Sequence, residues 1–284
     1  MSGGRVSQLF VFGLGYAAGH LAALLEGRGW SVTGTTRDGR GGSIRFDDRE
    51  RVTAEIAAAT HILSSVPPEG EVDPVLVAYG ERLARLDAWL GYLSSTGVYG
   101  DTGGAWVDES AAIGSGRRVA RAVADADWQA LGARVFRLPG IYGPGRSPID
   151  RVRSGRSHRV GLPGQVFSRV HIADIVSGVV AGFDGPAGAY NLSDDFPCDQ
   201  DAVVSYAAEL AGLAPPPLVP LESLSAAARG FYGENRRVAN GKAKRVLNWR
   251  PRYPDYRLGL RALSAMTSPS AVTPAPAPAS SDQR

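Results

Sequence analysis

Glycine and arginine dominate the residues of this chain that could do chemistry. The stretch Gly13-Leu14-Gly15-Tyr16-Ala17-Ala18 follows the apolar run Gln8–Phe12 and opens an alanine-rich segment from Tyr16 to Glu26. In such a GxGxxA turn the first glycine permits a tight bend, and the second lets the backbone approach a phosphate. The small third residue lets helix and strand pack closely. The helix that follows presents free N–H groups and the positive end of its dipole. The chemistry is anion binding, and the spacing predicts a dinucleotide pyrophosphate held by Gly13, Gly15, Tyr16 and Ala18.

The residue at the end of the next strand selects the dinucleotide. An acid there would accept the ribose 2′-OH of NAD. This chain has Thr35-Thr36-Arg37, and a guanidinium suits the 2′-phosphate of NADP, with Arg40 and Arg45 as assistants. Asp38 follows at once and keeps NAD open. Only two lysines exist, Lys242 and Lys244. That excludes a GxxxxGK[ST] phosphate loop and leaves Schiff-base chemistry only two late candidates. The single cysteine, Cys198, allows no intrachain disulfide, and the four histidines are too scattered for a metal site.

These groups need a scaffold, and the chain spells one. Strand-like runs at Gln8–Phe12, Trp30–Thr36, Ser43–Phe46, Thr60–Val66, Leu90–Ser95 and Arg134–Leu138 alternate with helical stretches at Tyr16–Glu26, Val72–Trp89 and Arg118–Leu131. The spacing predicts an α/β fold with a doubly wound parallel sheet. Beyond Gly143 the reading is helix Ile172–Phe183, strand Gly188–Leu192, helix Asp199–Ala211, helix Ala239–Leu247, and a turn and last helix from Pro251 to Leu263. The expected division is a dinucleotide-binding domain over 1–145 with 170–193 returning to it. A smaller C-terminal substrate-binding portion covers 146–265, and a Ser/Pro/Ala/Thr-rich disordered tail covers 266–284.

Several segments in order resemble the extended short-chain dehydrogenase/reductases. They are GLGYAAG from Gly13, SSVPP from Ser64, YLSSTGVYGD from Tyr92, RLPGIYGPGR from Arg137, FSRVHIADI from Phe167, AYNLSDD from Ala189 and NWRPRYPDYRLGL from Asn248. The chain looks like the NAD-dependent epimerase/dehydratase family, in an atypical subgroup of nucleoside-diphosphate-sugar epimerase-like proteins. The resemblance implies a Rossmann sheet with Ser64, Val66 and Ser94 among the cofactor-binding residues. It also implies a catalytic hydroxyl at Ser95, three residues before Val98-Tyr99-Gly100, although Ser95 could equally satisfy backbone at a strand end. The family's Tyr-x-x-x-Lys pair is missing. Arg117 and Arg121 fall in its place, and arginine stays protonated to about pH 12, too high for a proton carrier. Arg121 could replace the positive charge of the lysine, and Arg117 could bind a substrate anion or lie on a solvated helix face.

Tyr99 and Tyr142, just past strand ends, are candidate proton carriers or packing residues, with Asp101 and Glu109 behind them. His171 and Asp174 resemble the family's H-x-x-D at a helix start, where a structural role fits the helix dipole. Arg146 and Arg169, with the arginines between 146 and 159, lie where relatives hold substrate phosphates. The reading is an NAD(P)-dependent oxidoreductase or epimerase-like enzyme on a small, anionic or nucleotide-sugar-like substrate. The alternative is an NADP(H)-binding redox sensor without turnover. Formal net charge is only +3 and no basic stripe is interleaved with aromatics, so nucleic acid is not an expected partner. No apolar run reaches membrane-span length and no leader pattern opens the chain, so a cytoplasmic setting is expected. The resemblance also implies a homodimer.

Overall fold

The structure is a computed structural model and describes residues 7–267. Of the tail expected over 266–284, Met266 and Thr267 belong instead to the last helix, and the rest, from residue 268 on, lies outside the described residues. In chain order the first half runs β1 (Gln8–Phe12), α1 (Tyr16–Glu26), β2 (Ser31–Thr36), β3 (Ile44–Arg45), α2 (Arg49–Ala58), β4 (His61–Ser64), α3 (Pro74–Leu83), β5 (Trp89–Ser95), β6 (Trp106–Val107), α4 (Val119–Ala130) and β7 (Arg134–Leu138). The second half runs β8 (Gly140–Tyr142), α5 (Pro148–Arg153), β9 (Arg169–His171), α6 (Ile172–Ala181), β10 (Gly188–Asn191), α7 (Gln200–Leu210), α8 (Ala226–Tyr232), β11 (Arg237–Val238), α9 (Gly241–Val246) and α10 (Tyr256–Thr267).

Seven strands form one parallel sheet in the order β10-β7-β5-β4-β1-β2-β3. The doubly wound parallel sheet read from the alternating pattern is therefore the observed one. Alternate side chains of β1 explain its two-sided burial. Leu9 and Val11 pack with α1 and α6, whereas Phe10 and Phe12 pack against Val52, Ile56, Tyr79 and Trp128 on the opposite face. The chain leaves β1 toward β2 on one side and returns to β4 on the other. The crevice beyond the carboxyl ends of β1 and β4 is thus a topological switch point, where open α/β sheets bind ligands.

Most element ends differ from the sequence reading by a residue or two, and two differences are larger. The helix expected over 72–89 ends at Leu83, and Trp89 opens β5 with its indole Nε1 donating to Gly182 O at 2.9 Å. Helix α2 had no counterpart in the sequence reading. Only Val52 and Ile56, one turn apart, are buried in it, too little for a clear apolar stripe. Asp48 starts it by accepting the N–H of Arg51. Two short parallel pairs, β6 with β11 and β8 with β9, lash the C-terminal half to the sheet. A third core cluster, including Tyr142, Ile149, Val203, Tyr256 and Leu260, packs α5, α7 and α10 together.

A buried ion pair joins the second half of the sheet to α4. Arg137 is 2% exposed and Asp125 is fully buried. Arg137 Nη2 and Nε donate to the two carboxylate oxygens at 2.8 and 3.0 Å. Ser94 of β5 donates to the same carboxylate at 2.6 Å, and Arg137 Nη1 donates to Tyr99 Oη at 2.9 Å. Tyr99 in turn donates to Asn191 of β10 at 2.8 Å. Asp125→Ala would strand the guanidinium in the core and is expected to lower unfolding free energy by about 3–5 kcal/mol. The double variant Asp125→Ala/Arg137→Met is expected to lose less than that single one. Urea denaturation checks both, and a single-variant loss under about 1 kcal/mol, the scale of a surface pair, would contradict this role.

Candidate active site

The glycine turn sits at the switch point and is held rigidly. Gly13 has a positive φ of 82°, and its N–H donates to Thr35 Oγ1 at 3.1 Å. Leu14 N donates to Thr35 O at 2.8 Å, which ties the turn to β2. Ser65 Oγ donates to Gly13 O from the end of β4. A Cβ on Gly34 would stand 2.6 Å from Leu14 Cγ, so this strand glycine makes room for the loop. Val66 lies against Gly13, its Cγ2 3.0 Å from where a Cβ would stand, and Ala18 is buried at the helix–sheet contact.

Gly15 differs. It is exposed, its backbone is extended, and a Cβ there would meet nothing within 4 Å. It is the N-cap of α1, yet no side chain caps that helix and its first turn holds no acid. An open concavity of helix N–H groups of this kind fits a pyrophosphate. A nicotinamide dinucleotide is thus a group these residues could hold.

At the tip of β2, Arg37 is exposed. Asp38 is turned into its own loop, accepting Thr36 Oγ1 at 3.2 Å and pairing with Arg40 at 3.7 Å. Arg45 is bound by Asp47 through two short contacts of 2.9 and 2.6 Å. Of the three arginines expected here, Arg37 alone makes no ion pair among the described residues.

A cleft of about 510 Å³ opens between the carboxyl ends of β5 and β7 and the C-terminal half. Six arginines line it (Arg117, Arg118, Arg146, Arg151, Arg169 and Arg236) against one carboxylate, Glu234. Phe167 and Phe231 stack on its wall with centroids 4.4 Å apart and planes 8° apart. Tyr16 connects cleft and glycine turn. Its hydroxyl donates to Pro144 O at 2.8 Å, and the Arg146 guanidinium lies 4.3 Å from its ring centroid.

The structure separates the remaining candidates. Ser95 lines the cleft, and its Oγ accepts the Gly97 N–H at 3.1 Å. Arg117 also lines it, its backbone N–H and Nε on Glu234 Oε1 at 3.1 and 3.3 Å. Arg121 is not at the cleft. It donates to Tyr92 Oη at 2.8 Å and to Leu93 O at 3.4 Å. Arg169, expected among the substrate-binding arginines, reaches the cleft wall but is buried. Its donors go to Phe167 O, Cys198 O, Cys198 Sγ, Asp199 O and Gln200 Oε1. Ser94 is engaged by Asp125, and Ser64 is fully buried with no hydrogen-bond partner for its hydroxyl among the described residues.

Neither tyrosine is placed as a proton carrier. Burial pushes the Tyr99 phenol up to about 12, and its oxygen is taken by Arg137 and Asn191. Burial also raises the Tyr142 phenol, whose hydroxyl abuts Gly259 of α10. Asp101 accepts the backbone N–H groups of Asn235 and Gly103, and Glu109 accepts the Asn191 N–H at 2.7 Å. His171 caps α6 through Nδ1, and burial pushes its pKa down to about 4. Asp174 accepts the N–H groups of Arg252 and Tyr253 at 2.6 and 3.1 Å and so docks the chain before α10. The sequence reading missed Arg118, Arg236, Glu234 and the Phe167–Phe231 stack. Composition shows that arginines are present, but only the fold shows which of them share a wall.

No protein-family model matches the chain. A conserved protein of unknown function from Silicibacter pomeroyi DSS is 40% identical, aligns over 92% of this chain and 99% of its own, and superposes with a TM-score of 0.81. MoeE5 in complex with UDP-glucose and NAD superposes at 0.71 with 20% identity, over 92% of this chain and 98% of its own. Human epimerase family protein SDR39U1 with NADPH superposes at 0.71 with 16% identity, over 91% and 99%. Among curated proteins, 3-diazoavenalumate denitrifying reductase from a Streptomyces species is 29% identical over 152 residues. That alignment spans 49% of this chain and 49% of the relative, about half the length of each.

The fold is the Rossmann-type α/β fold that MoeE5 and SDR39U1 share with this chain. Within that fold, the chain belongs to the family of the Silicibacter pomeroyi protein. Among the described residues, no helix is long and apolar enough to cross a membrane, and no cluster of metal-ligating side chains occurs.

Proposed function

We propose that the protein is an NADP(H)-dependent oxidoreductase or epimerase-like enzyme acting on a small anionic, nucleotide-sugar-like substrate. The observation that carries the cofactor reading is the N-terminus of α1. It is uncapped, free of acid, and open at Gly15. When bound, a nicotinamide dinucleotide supplies reversible two-electron transfer at a substrate carbon. The chain's own part is to hold and orient. The backbone from Gly13 to Ala18 takes the pyrophosphate, with Val66 closing its floor. Arg37, which makes no ion pair among the described residues, offers a planar fork of donors to a 2′-phosphate. The NADPH held by SDR39U1 supports that preference, and the NAD held by MoeE5 keeps the alternative in view. Ser95 orients a substrate oxygen, while Arg117, Arg146, Arg151 and Arg236 make the cleft electropositive.

A second reading, an NADP(H) sensor without turnover, has a specific observation behind it. Arg121 is bound to Tyr92, and the hydroxyls of Tyr99 and Tyr142 are buried, so none of the groups that stand for the family's proton carrier is free to serve Ser95. Consumption of NADPH with any anionic carbonyl substrate separates the two readings.

Titration of NADPH and NADH into wild type, Gly15→Asp and Arg37→Ala tests the cofactor site. Aspartate fits the extended backbone and open space at Gly15 and is a good N-cap. Gly15→Asp is therefore expected to keep or raise Tm, while its charge weakens dinucleotide binding at least about tenfold. Arg37→Ala is expected to erase most of a preference for NADPH. Undiminished binding in Gly15→Asp would contradict the site, and equal NADPH and NADH affinities in wild type would contradict the NADP assignment.

A further inference from the structure

Arg118, the residue just before α4, has a setting that no other arginine of the cleft shares. Its side chain lies flat across Gly97 of the turn that follows β5. A Cβ built on Gly97 would stand 2.5 Å from Arg118 Cδ, 3.0 Å from Nε and 3.3 Å from Ser95 Oγ. Arg118 Nε and the Ser95 hydroxyl therefore lie close together over Gly97, and a side chain at 97 would collide with the arginine. Ser95 Oγ accepts the Gly97 N–H, and no hydrogen bond from its own proton occurs among the described residues.

The other charges around this pair are accounted for. Glu234 is the cleft's one carboxylate. Its Oε1 takes Arg117, and its Oε2 takes Arg236 Nη1 at 2.9 Å. Arg121 is held by Tyr92 and Leu93, and Arg169 by its five acceptors. The Arg118 guanidinium has neither a hydrogen bond nor an ion pair among the described residues, and Arg118 is exposed where it lines the cleft. Burial and the cations of Arg117, Arg121 and Arg236 all disfavour its charge, against only the attraction of Glu234. A cleft cation without an anion, set beside an O–H donor, is free to donate charge-assisted hydrogen bonds to an anionic oxygen.

We propose that Ser95 and Arg118 together form an oxyanion-binding site at the floor of the cleft, which takes a carboxylate, phosphate or other negatively charged oxygen of the substrate. The pair holds that oxygen from two sides, by a charge-assisted N–H bond and a neutral O–H bond. This rests on the reading of the cleft as the substrate site of a dinucleotide enzyme. It adds that recognition at the reacting end is by charge. It also sets Arg118 apart from Arg117 and Arg121, the two arginines that stand in the positions of the missing pair.

Modification of the full-length protein by phenylglyoxal, read residue by residue by mass spectrometry with inorganic phosphate as the probe, tests this. Arg118 is expected to react faster than Arg117 and Arg121, and phosphate is expected to protect it. In Ser95→Ala, and in Gly97→Ala where the new methyl displaces the Arg118 side chain, the half-protecting phosphate concentration is expected to rise at least about tenfold. Absence of phosphate protection at Arg118 in wild type would overturn the proposal, as would equal protection in wild type and Ser95→Ala. NADPH affinity is measured on the same samples. Phosphate protection in a protein that binds no NADPH would leave the oxyanion site standing and sink the cofactor reading alone. Protection by NADPH without protection by phosphate would give Arg118 to the cofactor and overturn the proposal.

Discussion

The site depends on the Asp125–Arg137 ion pair and the hydrogen bonds that radiate from it. A buried charge pair is tolerable only when nearly every lone pair and N–H is satisfied. Here Asp125 accepts from Arg137, Ser94 and Gln129, and Arg137 also reaches Tyr99. The partners lie on β5, on α4 and on the turn after β5, and Tyr99 extends the chain to Asn191 on β10. These are the elements that deliver Ser95, Gly97 and Arg118 to the cleft. The network fixes the start of α4 against the end of β5, and that contact sets where Arg118 crosses Gly97. It also explains why Ser94 and Tyr99, adjacent in sequence to cleft residues, serve packing while Ser95 faces outward.

A second constraint is electrostatic. Six guanidiniums share one cleft with one carboxylate. Such an excess of like charge is tolerated because most of its members are bound elsewhere. Glu234 bridges Arg117 and Arg236, its carboxyl held below the usual range by their hydrogen bonds in spite of its burial. Arg169 is hydrogen-bonded to carbonyls, and Arg146 lies on the Tyr16 ring. What remains is directional. A positive cleft with a Ser–Arg floor adjoins a helix N-terminus that is itself positive. An anionic cofactor and an anionic substrate can meet at that junction, where Tyr16 connects the two surfaces.

The parts of the fold written in short-range patterns were legible in the sequence. The limits of α1 and β7 follow from Gly15, Gly27 and the flanking glycine and proline, and they match the structure at both ends. The glycine turn was legible because strand, GxGxxA and helix occur in order. Helix α2 was not, since two inward residues make no periodic signal. Nor were the arginine roles. Arg121 sits one turn beyond Arg117, and spacing alone sends both toward one ligand. The fold starts the helix at Val119, which leaves Arg117 and Arg118 in the cleft and carries Arg121 back to Tyr92. Arg169 looked like a phosphate ligand by position, but four of its five acceptors come from a segment about 30 residues away that sequence cannot bring to it.

The central claim is that a dinucleotide pyrophosphate docks on the uncapped first turn of α1. Hydrogen–deuterium exchange of the full-length chain with and without NADPH tests it most directly. The first-turn amides of α1 have no intrahelical acceptor and should exchange quickly in the free protein. The account predicts that NADPH slows exchange across residues 13–18 and at the β2 tip around Arg37, with little change in α7 or α10. Binding of NADPH that leaves exchange at residues 13–18 unaltered would contradict it.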